Sequence, residues 1–380
     1  MAGPRLPPYL TPELVEEILL RVSPEDPAIL VRASLACKPW RRLLCDPAFR
    51  RRYLAFHRRT PPLLGFLHYR WRVARGEGAD GVVVPGFVAT TTPSPFPKQA
   101  FDGCAASWSV VDCRHGRVLF EASRDDVCLV LVVWEPATGK RKWLPKLPTR
   151  CSRYTVAVLC ALHGHGCDHL ECCGGAFFAV LVQSGVIGRS VRVHLYSSEA
   201  GSWSTSPDLL SGFVVDSNWS TIIGNDIYFV STFGSWDQIL RYSLGNNRIC
   251  FLQAPAADKF LGHFFLVPME DGSLGFGTIG ATRRLCLWSR NVDPDVVAEA
   301  GWVHRRTIDI ELCKSIPISV MYDVQVVGSA DDFGIIFVAT VDGVFTIDLK
   351  SSRAKKVGET MACFKIFPFM TFYTPDSRLS

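Results

Sequence analysis

The chain has 380 residues, 48% apolar and 20% charged, which suffices for more than one domain with a buried core and excludes a disordered chain. Its formal charge of +5 lies entirely in residues 1–60, with 11 Lys and Arg against 6 Asp and Glu; the remainder balances at 30 of each sign, which argues against a basic nucleic-acid footprint there. No apolar run reaches the roughly 18 residues of a membrane helix, and the Pro-rich start lacks the pattern of a signal peptide, so a cytosolic or nuclear protein is expected, with its 14 cysteines reduced and acting as small hydrophobes.

Residues 1–8 read as a flexible N-terminus. Thr11-Pro12, Asp26-Pro27 and Asp46-Pro47 then mark three helix starts, each with an N-cap side chain before a Pro that needs no donor. The first helix, over 12–22, puts Leu14, Val15, Ile18, Leu19 and Val22 on one stripe, with Glu13, Glu16 and Glu17 near its positive end. The second, over 27–36, is apolar almost throughout and asks for burial on two sides. A unit of about fifty residues buries too little of its surface to be comfortable alone. Arg50–Arg52 and Arg58-Arg59, interleaved with Phe49, Tyr53, Leu54 and Phe56, read as an amphipathic helix with a solvated basic face, linking the two domains.

The run Leu10-Thr11-Pro12-Glu13-Leu14, Ile18-Leu19-Leu20-Arg21-Val22, Pro24, Leu30-Val31-Arg32, and Leu35-Ala36-Cys37-Lys38-Pro39-Trp40-Arg41-Arg42-Leu43-Leu44, with Asp46-Pro47-Ala48-Phe49, resembles the F-box family in order and spacing. The resemblance implies an F-box over 9–58 that docks on a Skp-type adaptor and through it on a cullin. It also implies that Leu10, Pro12, Leu14, Ile18, Leu19, Pro24, Leu35, Cys37, Trp40 and Leu44 shape or contact that interface. Two departures stand out: the family often opens with Leu-Pro where this chain has Leu10-Thr11-Pro12, and Pro39 precedes Trp40. In a helix interior Pro39 would cost about 3 kcal/mol, so it fits only if it begins a new turn.

From Pro61 onward the pattern changes to short runs of Val, Ile and Phe between turn residues, several alternating cleanly, as in Val191, Val193 and Leu195 against Arg192 and His194. An antiparallel all-β domain is expected over 61–375, with 376–380 as a tail. A loose repeat runs through it: Trp134, Tyr196, Tyr242, Trp288 and Ile347 each end an apolar run before a polar turn, at spacings of 62, 46, 46 and 59 residues, and Trp143, Trp203, Ile249, Trp302 and Val357 follow those turns. Such a period suits a four-stranded propeller blade. Five blades are visible, and strand-like segments near 63–69, 82–88 and 364–373 can complete a sixth by pairing the two chain ends, which would remove exposed edges.

The stretches Asp112-Cys113-Arg114-His115-Gly116-Arg117-Val118-Leu119, Trp134-Glu135-Pro136-Ala137-Thr138-Gly139 and Tyr196-Ser197-Ser198-Glu199-Ala200-Gly201-Ser202-Trp203 resemble the kelch-like F-box-associated propellers, particularly the large plant group. Together the two resemblances imply a small all-α F-box followed by an all-β propeller, for which the strand pattern gives six blades.

Three features invite chemistry. His163, His165, Cys167, His169, Cys172 and Cys173 could bind zinc, but their spacing matches no paired ligand arrangement, and they read as a polar hairpin insertion. Gly275-Phe276-Gly277-Thr278-Ile279-Gly280 fits the dinucleotide pattern by letter, yet no helix follows it, and it reads as a turn in a blade. The Asp-Gly pairs at 80, 102, 271 and 342 are hairpin signals, not catalytic carboxylates. No metal, cofactor or enzymatic activity is expected. The expected function is that of a substrate-receptor subunit of an SCF-type ligase, with the propeller holding a protein target on loops such as 91–108, 161–175, 184–190 and 232–237; no membrane or direct nucleic-acid partner is expected. The other reading is a scaffold or transcriptional cofactor outside the ligase, with the helices covered by their own blades.

Overall fold

The computed structural model describes residues 10–57, 61–72, 82–90, 108–124, 128–136, 139–148, 153–161, 174–185, 190–234, 238–255, 263–279, 284–290, 301–310, 324–330, 333–359 and 365–372. Four helices come first: α1 (Pro12–Leu20), α2 (Pro27–Ala36), α3 (Lys38–Leu44) and α4 (Pro47–Phe56). Each has Pro in its first turn, where a missing donor costs nothing. Thr11 accepts from the Leu14 amide at 3.4 Å and Asp46 from the Ala48 amide at 2.8 Å. Asp26 makes no cap bond; its backbone, at φ −119° and ψ 75°, departs from the extended geometry that Thr11 and Asp46 share. Cys37 is fully extended, which ends α2 and starts α3, so Pro39 lies in a first turn and not in a helix interior.

After the helices, β1 (Leu63–Arg72) and β2 (Val82–Ala89) form a hairpin. The second sheet holds β3 (Ser109–Arg114), β4 (Arg117–Arg124), β5 (Cys128–Glu135) and β6 (Lys140–Trp143), with β7 (Leu147–Pro148) extending its edge. The third holds β8 (Arg153–Cys160), β9 (Phe177–Ser184), β10 (Ser190–Ser197) and β11 (Ser202–Thr205), with β12 (Leu209–Leu210) beside β10. The fourth is β13 (Phe213–Ile223), β14 (Asp226–Gly234), β15 (Gln238–Ser243) and β16 (Arg248–Gln253), and the fifth β17 (His263–Pro268), β18 (Leu274–Ile279), β19 (Arg284–Arg290) and β20 (Trp302–Asp309). The sixth is β21 (Gln325–Ala330), β22 (Ile335–Thr340), β23 (Gly343–Asp348) and β24 (Ala354–Gly358). Finally β25 (Ile366–Met370) returns to pair antiparallel with β1, Leu63 opposite Met370 and His68 opposite Ile366, so the two chain ends share the first sheet.

The six sheets are the blades of a propeller. Their inner strands form a closed ring in which β25 packs on β3, β3 on β8, β8 on β13, β13 on β17, β17 on β21 and β21 on β25. Because successive strand residues face opposite ways, each blade feeds two seams. In the second blade Val118, Phe120, Val132 and Trp134 face the first, while Leu119, Leu131 and Val133 face the third. Four further seams repeat this, the last joining Phe337 and Val344 to Phe66 and Ile366. The expected repeat is the turn between third and fourth strands, which carries a left-handed residue in four blades: Gly139, Gly201, Asn247 and Ser352. Trp203 and Trp302 on fourth strands donate their indole N–H to Pro145 and Gln253 carbonyls of the preceding blade at 2.8 and 2.7 Å.

Gly275 and Gly277 of the dinucleotide-like stretch are strand residues and not a turn: β18 is buried throughout, and the tip of the Phe265 ring covers Gly277, where a Cβ would stand 2.2 Å from it. Within the third blade, His194 is buried between Thr205 and Gln183, its Nδ1 2.9 Å from Thr205 Oγ1 and its Nε2 3.1 Å from Gln183 Oε1. Burial first, and Arg192 second, push its pKa down to about 4 against the opposing Asp208. Two outcomes follow. Gly277→Ala should destabilise the chain by about 1–3 kcal/mol in chemical denaturation, through overpacking against Phe265. His194 is neutral in the fold and titrates near 6.5 when unfolded, so its contribution is full above pH 6.5 and is lost as pH falls toward 4. Replacing it by Gln should flatten the decline of Tm over that window, removing on the order of 2 kcal/mol of acid sensitivity.

Candidate functional site

Six of the eleven exposed large apolar side chains among the described residues lie in the helical module: Leu10, Leu14, Ile18, Ile29, Leu35 and Phe56. The expected single stripe on α1 is therefore split. Val15, Leu19 and Leu20 turn inward, while Leu14 (52% exposed) and Ile18 (53%), one turn apart, continue the line of Leu10 outward. A residue step rotates a helix by about 100°, so a run of adjacent apolar residues serves two faces. On α2, expected to ask for burial on two sides, Leu30, Ala33 and Ser34 are buried, while Ile29 is exposed and Leu35 is 77% exposed.

The other residues expected at an interface separate by depth. Pro12 and Cys37 are exposed, Pro24 and Trp40 half-buried, and Leu19 and Leu44 lie in the core, where they can shape a surface but not touch a partner. Ile29 was missed because α2 reads as uniformly apolar, which hides the outward positions.

Beneath this surface is one apolar core of Val15, Leu19, Leu20, Leu30, Ala33, Leu44, Phe49, Tyr53 and Leu54, and it includes Phe372 from just beyond β25. The helix α4, expected as a linker, supplies three of those core residues. Tyr53 is the hub. Its hydroxyl donates to the Val22 carbonyl at 2.9 Å, its ring meets His57 at 4.5 Å and Phe372 edge-on at 6.2 Å, and burial pushes its phenol well above the usual range. His57 Nε2 lies 2.9 Å from the Leu20 carbonyl. On the outside, Arg52 of α4 bridges Glu16 and Glu17 of α1. Arg21 pairs with Glu17 at 2.7 Å and holds its carboxyl below the usual range. Exposed pairs of this kind contribute little.

Among the described residues two polar recesses of the propeller stand out, and both are built into the scaffold. In the channel, around a cavity of about 100 Å³, the Val158 amide donates to Asp112 Oδ2 at 2.8 Å, Arg114 Nε to Asp112 Oδ1 at 3.2 Å, and Arg114 Nη2 to the Ser220 carbonyl. His115 and Gly116, both at positive φ, form the two-residue hairpin turn that lets β3 and β4 present these groups. At the seam of the second and third blades, Arg117 is wholly buried, with Nε 3.0 Å from Glu135 Oε1 and Nη2 2.9 Å from the Gly175 carbonyl, beneath a groove edged by Lys142 and Ser198. The bonds from Asp112 to Val158, Arg114 to Ser220 and Arg117 to Gly175 tie blade to blade.

Among the described residues no group of three or more His, Cys, Asp or Glu stands close enough to hold a metal ion. The His and Cys cluster at 163–173 lies outside the described residues, as do most of the loops expected to hold a target.

Comparison with known proteins bears on both parts of the chain. Residues 8–52 match the F-box domain, and residues 109–376 match the family described as F-box protein AT5G49610-like, beta-propeller. No curated protein matches the chain. Among solved structures it is similar to a functionally unknown protein from Desulfotomaculum acetoxidans DSM 771, at 11% identity and a TM-score of 0.45 over 80% of this chain and 89% of that one. It is also similar to TolB from Acinetobacter baumannii, at 11% identity and a TM-score of 0.45 over 84% and 70%. Likenesses that weak carry no argument about function.

Proposed function

This chain belongs to the F-box proteins that carry an AT5G49610-like β-propeller, and we propose that it is a substrate-receptor subunit of an SCF-type ubiquitin ligase. In this reading the helices dock on a Skp-type adaptor bound to a cullin, and the propeller holds a protein target near a ubiquitin-charged enzyme. The protein itself performs no chemistry; it contributes proximity.

The observation that carries the reading is the concentration of exposed apolar side chains on α1, α2 and the segment before them. Each of Leu14, Ile18 and Leu35 gains about 1.5–3 kcal/mol when fully buried, so a complementary partner face draws most of its energy from a few such anchors. The same exposure speaks against the scaffold reading, in which the blades would cover these residues. F-box domains generally bind Skp-type adaptors, which supplies the partner class. The charge-balanced propeller, with its polar recesses engaged in blade-to-blade bonds, fits a binding platform better than an enzyme. A cytosolic or nuclear setting, where such ligases act, is part of the proposal.

The test uses the full chain and a purified Skp-type adaptor in a calorimetric titration. Leu14→Asp combined with Leu35→Asp should weaken binding by about a hundredfold or more, equivalent to about 3 kcal/mol, while leaving Tm nearly unchanged, since both side chains are exposed. Unaltered affinity in the double variant, or no binding by the parent chain, would remove the reading.

A further inference from the structure

The docking helices are not a self-contained unit. Their core is closed by Phe372, 4% exposed, which stands two residues past the end of β25. The path from that side chain to the exposed stripe is short and made of buried contacts. Phe372 backs the Tyr53 ring; the Tyr53 hydroxyl holds the Val22 carbonyl, and the neighbouring His57 ring lies against the Leu20 carbonyl. Those two carbonyls fix the C-terminal end of α1, the helix that presents Leu14 and Ile18. Phe372 is itself placed by β25, which is held between β3 and β21 and paired with β1 only once the ring of blades is closed.

We propose that propeller closure completes the helical module, so that only a chain whose C-terminal strand is seated presents a competent docking face. The inference rests on the docking function proposed above and adds its regulation. The helices precede every blade during synthesis, and the residue that finishes their core follows every blade strand. An unfinished or unclosed receptor, which could capture an adaptor without a target platform, is thereby kept from the ligase. A fifty-residue helical unit has little core to lose, so removing one large buried ring from it weighs more than the same change in the propeller.

Amide hydrogen exchange on the full-length chain tests this without needing the adaptor. Phe372→Ala should raise exchange in α1 and α4 about tenfold or more while leaving β9 and β14 within roughly twofold. Phe372→Leu, which keeps an apolar side chain at the site, should restore most of the protection. In a parallel titration, the affinity of Phe372→Ala for a Skp-type adaptor should fall about tenfold, as expected when the competent state becomes a minor one. Unchanged exchange in α1 and α4 overturns the proposal. A parallel rise across all blades overturns it too, because the residue would then merely stabilise the propeller. Looser helices with undiminished adaptor affinity likewise overturn it. If the helices loosen as expected but the parent chain also fails to bind the adaptor, the docking function falls while the coupling of the two folds stands.

Discussion

Pairing of β25 with β1 is the constraint on which the molecule depends. A blade has two apolar faces and cannot bury both without neighbours on each side. Six blades in an open row would leave two faces bare. By bringing the last strand to the first sheet, the chain turns five seams into six, and the seam of Phe66, Phe337, Val344 and Ile366 exists only because of that return. The same return delivers Phe372 to the underside of the helices. One strand pairing therefore closes the propeller and completes the module that precedes it.

The two parts handle apolar surface in opposite ways. Among the described residues the propeller hides nearly all of its large apolar side chains in seams, and its polar groups tie blade to blade: Asp112 accepts from Val158, Arg114 donates to Ser220, and the Arg117–Glu135 pair of the second blade meets Gly175 and Gly174 of the third. A buried pair of this type is costly to break, about 3–5 kcal/mol if one partner is lost, and is better read as specifying the seam than as adding stability. The helical module instead buries one set of residues and leaves the adjacent set in solvent. Its exposed residues have little role in the fold, which makes their placement informative about a partner.

Much of this was legible in the sequence because the signals were local. Thr11 and Asp46 cap as their types and the following Pro suggest; the anchors from Trp134 to Ile347 mark third strands; and spare strand-like segments at both ends were enough to infer the closing blade. What could not be read depended on neighbours distant in sequence. Which of Leu14 and Val15 faces inward is decided by α4, and the reason for Gly277 is the Phe265 ring on another strand. Asp26 has the same sequence signature as Asp46 and differs only in backbone angle. The part played by Phe372 in the helical core had no sequence signal, since its partner Tyr53 lies in another domain.

The docking function makes a spatial demand that is met or not in one experiment: amide exchange of the full-length chain with and without a saturating Skp-type adaptor. The account predicts new protection in α1, α2 and α3, around Leu14, Ile18, Ile29 and Leu35, and none in the six blades. Protection confined to the blades, or no protection anywhere at adaptor concentrations that saturate another F-box protein, would contradict it.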